Sequence, residues 1–344
     1  MIQFQCDYSE GAHPLLMKRL VETNMEQTIG YGEDPYCAHA RQLIREACQL
    51  PEADVHFLVG GTQTNTTVIA HVLRGYQGVI SADSGHINVH ETGAIEHTGH
   101  KVLALPSTHG KLNAAQVEEA ILSHRQDSNF EHMVQPGMVY ISFPTEVGTL
   151  YTRAELTALY EVCHRLDTPL FIDGARLGYG LASPACDITL PELARLCDVF
   201  YIGGTKVGAL FGEAVVFTNP SLIRHFRYSL KQHGGMLAKG RLLGVQFETL
   251  FTDGLYLQIS QNAILQALRI RQALRDKGYS FFMESDTNQQ FPIFPDTELQ
   301  LLEQNFVFSF WQKMDANHTA VRICTSWATT DAQTDALIEA IRRL

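Results

Sequence analysis

The sequence predicts an α/β fold in which a large domain with a mixed, mostly parallel sheet is followed by a smaller α+β domain. Short apolar strands alternate with helical stretches up to about residue 220, which is typical of a parallel sheet covered on both faces. One connection, from 202 to 215, is too short for a helical crossover, so the strand after it is expected to be antiparallel. Beyond residue 221 long helical stretches dominate. We therefore expect domains at 1–250 and 251–344, with segment 1–14 packing on the smaller one.

The individual elements follow from apolar spacing and from capping residues. Asp34 and Pro35 suit a helix start, because Asp caps free amides and Pro is tolerated in the first turn. The predicted helices are 34–49, 63–74, 152–165, 191–197, 222–231, 241–277 and 331–343. The predicted strands are 55–59, 79–81, 101–105, 138–142, 169–172, 198–202, 214–217, 306–310 and 321–325.

Composition excludes some classes of function. The 344 residues include 26 Lys and Arg against 37 Asp and Glu, so the net charge of −11 argues against a general nucleic-acid binder. No apolar run approaches the roughly 20 residues that span a bilayer, and no signal peptide is visible. The seven cysteines are scattered without a Cys-x-x-Cys pair, which is typical of a reduced, cytoplasmic protein.

The first candidate site residue is Asp173, at the end of the predicted strand 169–172. A carboxylate there is costly unless it meets a cation or a hydrogen-bond donor. Ligands of open α/β sheets bind beyond the carboxyl ends of strands, so Asp173 is expected to face a ligand pocket. A structural pair with Arg176, or a helix cap, explains the same residues equally well.

A second candidate is Lys206, which follows strand 198–202 and two glycines and is the only lysine between Gly178 and Arg224. An amine in a partly apolar pocket has a lowered pKa and becomes a nucleophile. The alternative is an ordinary lysine in a surface loop, which is the commoner case.

The segment Gly60-Gly61-Thr62 lies between a strand and a helix, where free amides and the helix dipole favour a phosphate. It matches neither the P-loop nor the dinucleotide-binding pattern. A capped helix without a ligand remains the alternative. His86 and His90, four residues apart, suit a metal site, a ring stacked on a flat cofactor, or two surface histidines.

Together these residues supply a phosphate cradle, an acid for a ring nitrogen, a lysine for a Schiff base and a histidine for stacking or proton transfer. Pyridoxal 5'-phosphate requires this set, because it acts as an electron sink while its pyridine nitrogen is kept protonated.

The sequence also resembles the threonine aldolase and β-eliminating lyase family, which uses pyridoxal phosphate on the fold-type I aminotransferase scaffold. The resemblance is to the low-specificity L-threonine aldolase branch. The matching segments are Tyr31-Gly-Glu-Asp-Pro35, Gly60-Gly-Thr-Gln-Thr-Asn65, His86-Ile-Asn-Val-His-Glu91, Phe171-Ile-Asp-Gly-Ala-Arg176, Gly203-Gly-Thr-Lys206 and Val321-Arg-Ile-Cys-Thr325.

The resemblance implies a role for each matching residue. Lys206 would bind the cofactor covalently, Asp173 would pair with its ring nitrogen, and His86 would stack on the ring and transfer protons. The residues implied in binding are, for the cofactor, Gly61, Thr62, Arg176 and Lys239, and, for the substrate, Cys6, Tyr31, Arg176 and Arg322. Arg322 would grip the substrate carboxylate, and Tyr31 would reach the site of a neighbouring subunit.

Three positions depart from the family pattern. Cys6 stands where many members have a serine at the carboxylate site, and Thr145, next to Glu146, stands in place of a second histidine. Leu237 replaces an arginine that reaches a partner's phosphate in the family, a role for which Lys239 or Arg241 could substitute.

The expected reaction is retro-aldol cleavage of L-threonine, L-allo-threonine or a related β-hydroxy-α-amino acid to glycine and an aldehyde, with His86 as the base. The resemblance further implies a homodimer or homotetramer with shared active sites. β-Elimination, transamination and racemisation would use the same lysine, aspartate and phosphate cradle. A histidine-dependent metal hydrolase and a non-catalytic small-molecule binding module are the alternatives from other classes.

Overall fold

The computed structural model describes residues 1–344, which form thirteen strands and fourteen α-helices. The strands are β1 (Ile2–Gln3), β2 (Asp54–Leu58), β3 (Gln77–Ala82), β4 (Lys101–Leu105), β5 (Gln135–Ser142), β6 (Leu170–Asp173), β7 (Val199–Gly203), β8 (Glu213–Phe217), β9 (Phe281–Met283), β10 (Gln289–Pro295), β11 (Phe306–Val307), β12 (Ser309–Lys313) and β13 (His318–Cys324).

The helices flank these strands along the whole chain. They are α1 (Pro14–Glu22), α2 (Pro35–Cys48), α3 (Gly61–Val72), α4 (His86–Val89), α5 (Ala94–His97), α6 (Ala114–Gln126), α7 (Arg153–Arg165), α8 (Leu177–Ala182), α9 (Leu190–Arg195), α10 (Phe226–Gln232), α11 (Arg241–Phe251), α12 (Leu255–Lys277), α13 (Asp296–Leu302) and α14 (Asp331–Arg343).

The main sheet has seven strands in the order β2-β8-β7-β6-β5-β3-β4. Neighbouring strands from β7 to β4 are parallel, whereas β8 is antiparallel to both β7 and β2. The prediction of a mixed, mostly parallel sheet is therefore confirmed, and so is the antiparallel strand after the short connection. The carboxyl ends of β5, β6 and β7 lie side by side at one edge, where ligands of such sheets bind.

The local signals that predicted helix starts act as expected. The Asp34 carboxylate accepts a hydrogen bond from the Cys37 amide at 2.8 Å and caps α2. Thr152 and Glu155 form a capping box that starts α7. The last helix, α14, has the predicted bounds, with Thr330 as its cap.

Buried side chains form three clusters. The largest, of 43 residues, and a second of 17 residues contain the side chains of the main sheet and its flanking helices. The third, of 12 residues, surrounds the four-stranded antiparallel sheet β12-β13-β10-β9 and includes Phe4. Phe4 follows β1, which pairs in parallel with β11. The division of the chain at residue 250 stays a prediction.

Some elements differ from the prediction. The single helix expected over 241–277 is wrong, because the chain breaks at Thr252–Gly254, where Asp253 and Gly254 have φ of +52° and +72°. Helix α6 was not predicted, since it buries only Val117, Ile121 and His124 and its apolar stripe is thin. The helices α1, α4, α5, α8 and α13 and the strands β1, β9 and β10 were not predicted either. The single strand predicted over 306–310 is wrong, because the chain there divides into β11, which pairs with β1, and β12, which pairs with β13. None of the helices combines the length and the apolar character that crossing a membrane requires.

Candidate active site

A small cavity lies at the carboxyl ends of β5, β6 and β7, beside the start of α3. Its lining residues are Gly61, His86, Ser142, Pro144, Glu146, Asp173, Ala175, Arg176, Tyr201 and Lys206. Five of them, namely Gly61, His86, Asp173, Arg176 and Lys206, were candidates from the sequence.

Asp173 is buried at the end of β6 and accepts hydrogen bonds on both carboxylate oxygens. Oδ1 accepts from the Tyr201 hydroxyl at 2.5 Å and from the Ala175 amide at 3.0 Å. Oδ2 accepts from the Tyr140 hydroxyl at 2.6 Å and from the Asn65 side-chain amide at 3.1 Å. Burial opposes ionisation, but the His86 charge and these donors outweigh it and lower the pKa of Asp173. The site therefore holds a fixed negative charge.

Lys206 projects its amine into the same cavity. The amine lies 5.9 Å from the centre of the Tyr8 ring, and no carboxylate forms an ion pair with it. Burial, and then the positive charge of Arg176, lower the pKa of Lys206 below its ordinary value. A larger fraction of the amine is thus neutral near pH 7, as a nucleophilic lysine requires.

The start of α3 supplies backbone donors. Its N-cap residue is Gly60, so no side chain caps the first amides of the helix. A Cβ atom on Gly61 would lie 3.2 Å from the Tyr201 hydroxyl, so a side chain there would crowd the cavity. Thr62 is exposed in the first turn. Free amides at the start of a twelve-residue helix form a site suited to a phosphate.

His86 begins the single turn of α4 and is held by a buried carboxylate. Its Nδ1 lies 2.7 Å from Oε1 of Glu91, which also accepts from Asn65 at 2.7 Å. Burial alone would lower the pKa of His86, but the hydrogen bond to Glu91 and the charge of Asp173 hold it above the ordinary value. The ring of His90 lies 5.6 Å from that of His86, and no group of three or more potential ligands for a metal ion is present.

Arg176 is held in place by Asp7, a residue of the amino-terminal segment. Its Nε and Nη2 donate to the carboxylate of buried Asp7 at 2.7 and 2.9 Å, and Asn288 also donates to this carboxylate at 2.9 Å. This paired geometry fixes the guanidinium plane and leaves Nη1 for a ligand. The alternative that Arg176 pairs with Asp173 is wrong, because Asp7 is its partner.

Glu146, which the sequence left without a role, also lines the cavity. Its Oε1 accepts from the Ser142 hydroxyl at 2.6 Å and from the His86 backbone amide at 2.9 Å. Desolvation and the charge of Asp173 raise the pKa of Glu146, although its donors oppose the shift. Thr145, by contrast, is buried and its hydroxyl bonds that of Thr149 at 2.7 Å.

Arg322 and Cys6 lie outside the lining of this cavity. The Arg322 guanidinium makes only long contacts, 3.2 Å to the Gln5 carbonyl, 3.4 Å to the Ser309 hydroxyl and 3.5 Å to the Gln289 side-chain oxygen, and its buried Nε has no partner. Such an unsatisfied cationic donor is suited to a carboxylate ligand. The Cys6 thiol lies 3.3 Å from the Ser9 hydroxyl.

Three other residues considered from the sequence also lie away from the cavity within this chain. Tyr31 is 47 % exposed at φ +62°, with the Lys231 amine 4.9 Å from its ring centre. Lys239 is exposed in the turn before α11. Arg241 donates to the carbonyls of Glu26 and Asn24 at 2.6 and 2.8 Å.

Sequence reasoning did not single out Asn65, Glu91, Tyr140, Glu146 and Tyr201, which line the cavity or bind residues that line it. Two of them, Tyr140 and Tyr201, lie within apolar strands and look like core residues. Asn65 and Glu91 stand inside segments that carry the family resemblance, which was the one signal available for them.

The fold and this cavity define a pyridoxal-phosphate-dependent lyase. Residues 4–297 match the family described as Beta-eliminating lyase, and the chain belongs to this family. A low specificity L-threonine aldolase of Pseudomonas sp. (strain NCIMB 10558) is 30 % identical over 343 residues, which are 99 % of this chain and 97 % of that one.

Solved structures agree with this assignment. A Leishmania major threonine aldolase is 42 % identical, has a TM-score of 0.97, and aligns over 100 % of this chain and 99 % of that one. An aspartate aminotransferase of Thermus thermophilus, at 12 % identity and a TM-score of 0.70, covers 100 % of this chain and 91 % of its own. The second likeness concerns the fold alone, which is that of the fold-type I aminotransferases.

Proposed function

We propose that this enzyme cleaves L-threonine, L-allo-threonine or a related β-hydroxy-α-amino acid to glycine and an aldehyde. The proposal rests on two residues that line one cavity. Asp173 is a carboxylate whose oxygens accept four hydrogen bonds, and Lys206 is an amine that forms no ion pair. The two relatives named as threonine aldolases match this chain over almost its whole length, which supports the same reaction here.

The donor set fits pyridoxal phosphate. Lys206 would hold the cofactor covalently through Nζ, and the free amides of Gly61 and Thr62 would hold its phosphate. Asp173 would keep the ring nitrogen protonated, and His86 would cover one face of the ring. When bound, the cofactor supplies an electrophilic carbon for the substrate amine and takes up the electrons of the bond that breaks.

The protein's own groups set the conditions for that chemistry. The four donors on Asp173 keep its carboxylate ionised and fixed, so it can hold a proton on the ring nitrogen. Lys206, whose pKa is lowered by burial and by Arg176, is available as a neutral amine and can return after substrate binding. Arg176, held by Asp7, keeps Nη1 free to orient the cofactor or the substrate.

Substrate orientation would depend on the carboxylate group. Arg322 has a buried Nε without a partner and only long contacts on its other nitrogens, so a substrate carboxylate would complete its hydrogen bonds. The Cys6 thiol is a weaker donor than a serine hydroxyl at the same place. Anchoring the carboxylate fixes which bond at the α carbon breaks.

We further propose that the enzyme is a cytoplasmic homodimer or homotetramer with shared sites. Tyr31 stands on a surface with Met25 and Ile29, which are 87 % and 71 % exposed, so a partner could cover them. Lys239 would then reach a partner's phosphate. The seven unpaired cysteines support a reducing compartment. Sedimentation velocity tests the assembly, and cell fractionation tests the location.

The test is release of acetaldehyde from L-allo-threonine and L-threonine, with Lys206→Ala as the inactive variant. We expect release by the native enzyme and a loss of at least about 10³-fold in the variant, because no other amine lines the cavity. Lys277→Ala, an exposed lysine on α12, serves as the matched control and should keep full activity.

The outcomes separate the rival functions. A yellow protein that releases no aldehyde would support the cofactor assignment and would indicate elimination, transamination or racemisation as the reaction. A colourless protein that stays inactive with added pyridoxal phosphate would overturn the cofactor assignment. Near-normal turnover by Lys206→Ala would overturn the role of that lysine.

A further inference from the structure

The cavity offers few groups that could accept a proton from the substrate hydroxyl. Among the lining residues, the bases are His86, Glu146, Asp173 and Lys206. Asp173 already accepts four hydrogen bonds, and its lowered pKa makes it a poor proton acceptor. Lys206 is the residue that would hold the cofactor. The choice therefore falls between His86 and Glu146.

His86 is poorly placed for this task, although it is the base that the sequence pointed to. Its Nδ1 is engaged by the buried Glu91 carboxylate at 2.7 Å. Its ring is also the one proposed above to cover one face of the cofactor, so both Nδ1 and the ring face of His86 already have partners.

Glu146 has the opposite arrangement. Both of its protein donors, the Ser142 hydroxyl and the His86 backbone amide, bind Oε1. No protein donor contacts Oε2. Because Oε2 is not one of the fully buried polar atoms that lack a partner, it is open to the cavity. A carboxylate fixed at one oxygen and free at the other is a positioned base.

We propose that Glu146 accepts the β-hydroxyl proton of the substrate on Oε2, and that His86, held by Glu91, covers the cofactor ring instead of acting on the hydroxyl. The inference rests on the proposed retro-aldol function. In the step, the substrate O–H bond breaks and its proton moves to Oε2. The O–H electron pair becomes the second bond of the aldehyde carbonyl, and the Cα–Cβ pair stays with the glycine carbon, which then takes up a proton. Glu146 later returns its proton to solvent.

Desolvation supports this role, because it raises the pKa of Glu146 and so makes its carboxylate a stronger base than an exposed glutamate. The Ser142 hydroxyl gives its single proton to Glu146, and the Tyr140 hydroxyl, 3.5 Å away, gives its own to Asp173. The two carboxyl groups are therefore held by separate donors, which suits separate tasks.

The test compares two reactions of the loaded enzyme. Retro-aldol cleavage needs a base for the β-hydroxyl, whereas exchange of the glycine α proton with D₂O does not, because glycine has no hydroxyl. The variants are Glu146→Gln, which keeps the size and an acceptor oxygen, His86→Phe, which keeps a flat ring, and Glu119→Gln, an exposed glutamate on α6. Glycine affinity, read from the cofactor absorbance, and circular dichroism report the binding site and the fold.

We expect Glu146→Gln to lower retro-aldol turnover by about 10²-fold or more while glycine exchange and glycine affinity stay within about fivefold. His86→Phe should change both reactions in parallel, Glu146→Asp should restore part of the aldol rate, and Glu119→Gln should match the native enzyme. Retained cleavage in Glu146→Gln, or an equal loss of both reactions, would overturn the proposal alone. A native enzyme that exchanges glycine protons but releases no aldehyde would overturn the retro-aldol function as well.

Discussion

Two carboxyl groups line the cavity, and their hydrogen bonding and the direction of their pKa shifts differ. On one side Asp173 accepts from four donors, which include Tyr140 and Tyr201, and its pKa is lowered despite burial. On the other side Glu146 accepts from two donors on a single oxygen, and burial raises its pKa. The strands that lead to these carboxyls, β5 and β6, are neighbours. The charge of His86 together with the donors, rather than burial, keeps the pKa of Asp173 low.

This difference matches two kinds of task. A saturated carboxylate cannot move or release its charge without breaking several hydrogen bonds, so it is suited to hold a proton on another group. A carboxyl with one free oxygen can change its protonation state during a reaction cycle. Substitutions that remove a donor or a carboxyl charge therefore test whether Asp173 and Glu146 have these two different tasks.

The largest effect is expected at Asp173. Asp173→Ala removes the fixed charge and leaves the hydroxyls of Tyr140 and Tyr201 without an acceptor. We expect turnover to fall by about 10²–10³-fold and the cofactor to dissociate more easily. Tyr201→Phe removes one donor of four and should cost only about tenfold. Steady-state kinetics and a titration of the apoprotein with pyridoxal phosphate measure both quantities.

Full turnover and native cofactor affinity in Asp173→Ala would show that the fixed charge is not needed. A loss of turnover in Tyr201→Phe and Tyr140→Phe that is smaller than the loss in Asp173→Ala would show that each donor contributes to holding the charge. Asp276→Asn, an exposed carboxylate near the end of α12, is the matched control and should behave as the native enzyme.

The sequence predicted the Asp173 side better than the Glu146 side. Asp173 and Lys206 each follow an apolar strand, so strand pattern and sheet topology alone bring them to one edge. The donors on Asp173 could not be predicted in this way, because Asn65 is 108 residues away and Tyr140 looks like part of a buried strand. Glu146 lies in the loop after β5, where no periodic pattern indicates which way a side chain points.

The secondary structure was likewise predicted best where the sequence pattern is local. The buried strands of the main sheet and the helices α2, α7 and α14 were predicted well, since their patterns are local and strong. The break between α11 and α12 was missed because apolar spacing continues across it, although Asp253-Gly254 is a common turn pair. Strands β9 and β10 were missed because β9 has only three residues and because Gln289, Gln290 and Pro292 interrupt the apolar pattern of β10.

A moderate effect is expected at Arg322, the unsatisfied cation outside the cavity. Arg322→Gln keeps a hydrogen-bonding side chain but removes the charge, and a charged hydrogen bond is worth about 1.5–3 kcal/mol. We therefore expect kcat/KM for L-allo-threonine to fall about 10- to 150-fold, mainly through KM, since the carboxylate is bound before and during the reaction. The measurement is a full substrate-saturation curve.

The matched control is Arg342→Gln, on the exposed side of α14. An unchanged KM for Arg322→Gln would show that the buried Nε serves the fold rather than the substrate. A fall in kcat alone would instead place this arginine with the groups that act on the reacting bond.

The smallest effect concerns Glu213, a third buried carboxyl, which begins β8. It accepts from the Thr205 hydroxyl at 2.7 Å and from the Gly204 amide at 3.1 Å, in the loop that carries Lys206. Burial raises the pKa of Glu213 to about 8 from an ordinary value of 4.5. Burial thus outweighs the two donors of this carboxyl.

The sign of the pH effect follows from proton binding. Between pH 4.5 and 8 the folded state keeps the Glu213 proton while the unfolded state has lost it, so stability falls as pH rises through this window. Glu213→Gln removes that loss, by an amount on the order of a few kcal/mol at most. The Tm of the variant minus that of the native apoprotein should therefore rise by a few degrees from pH 5 to pH 9, whereas Glu119→Gln should give no trend. A constant difference would mean that Glu213 is charged when folded and that burial does not outweigh its two donors.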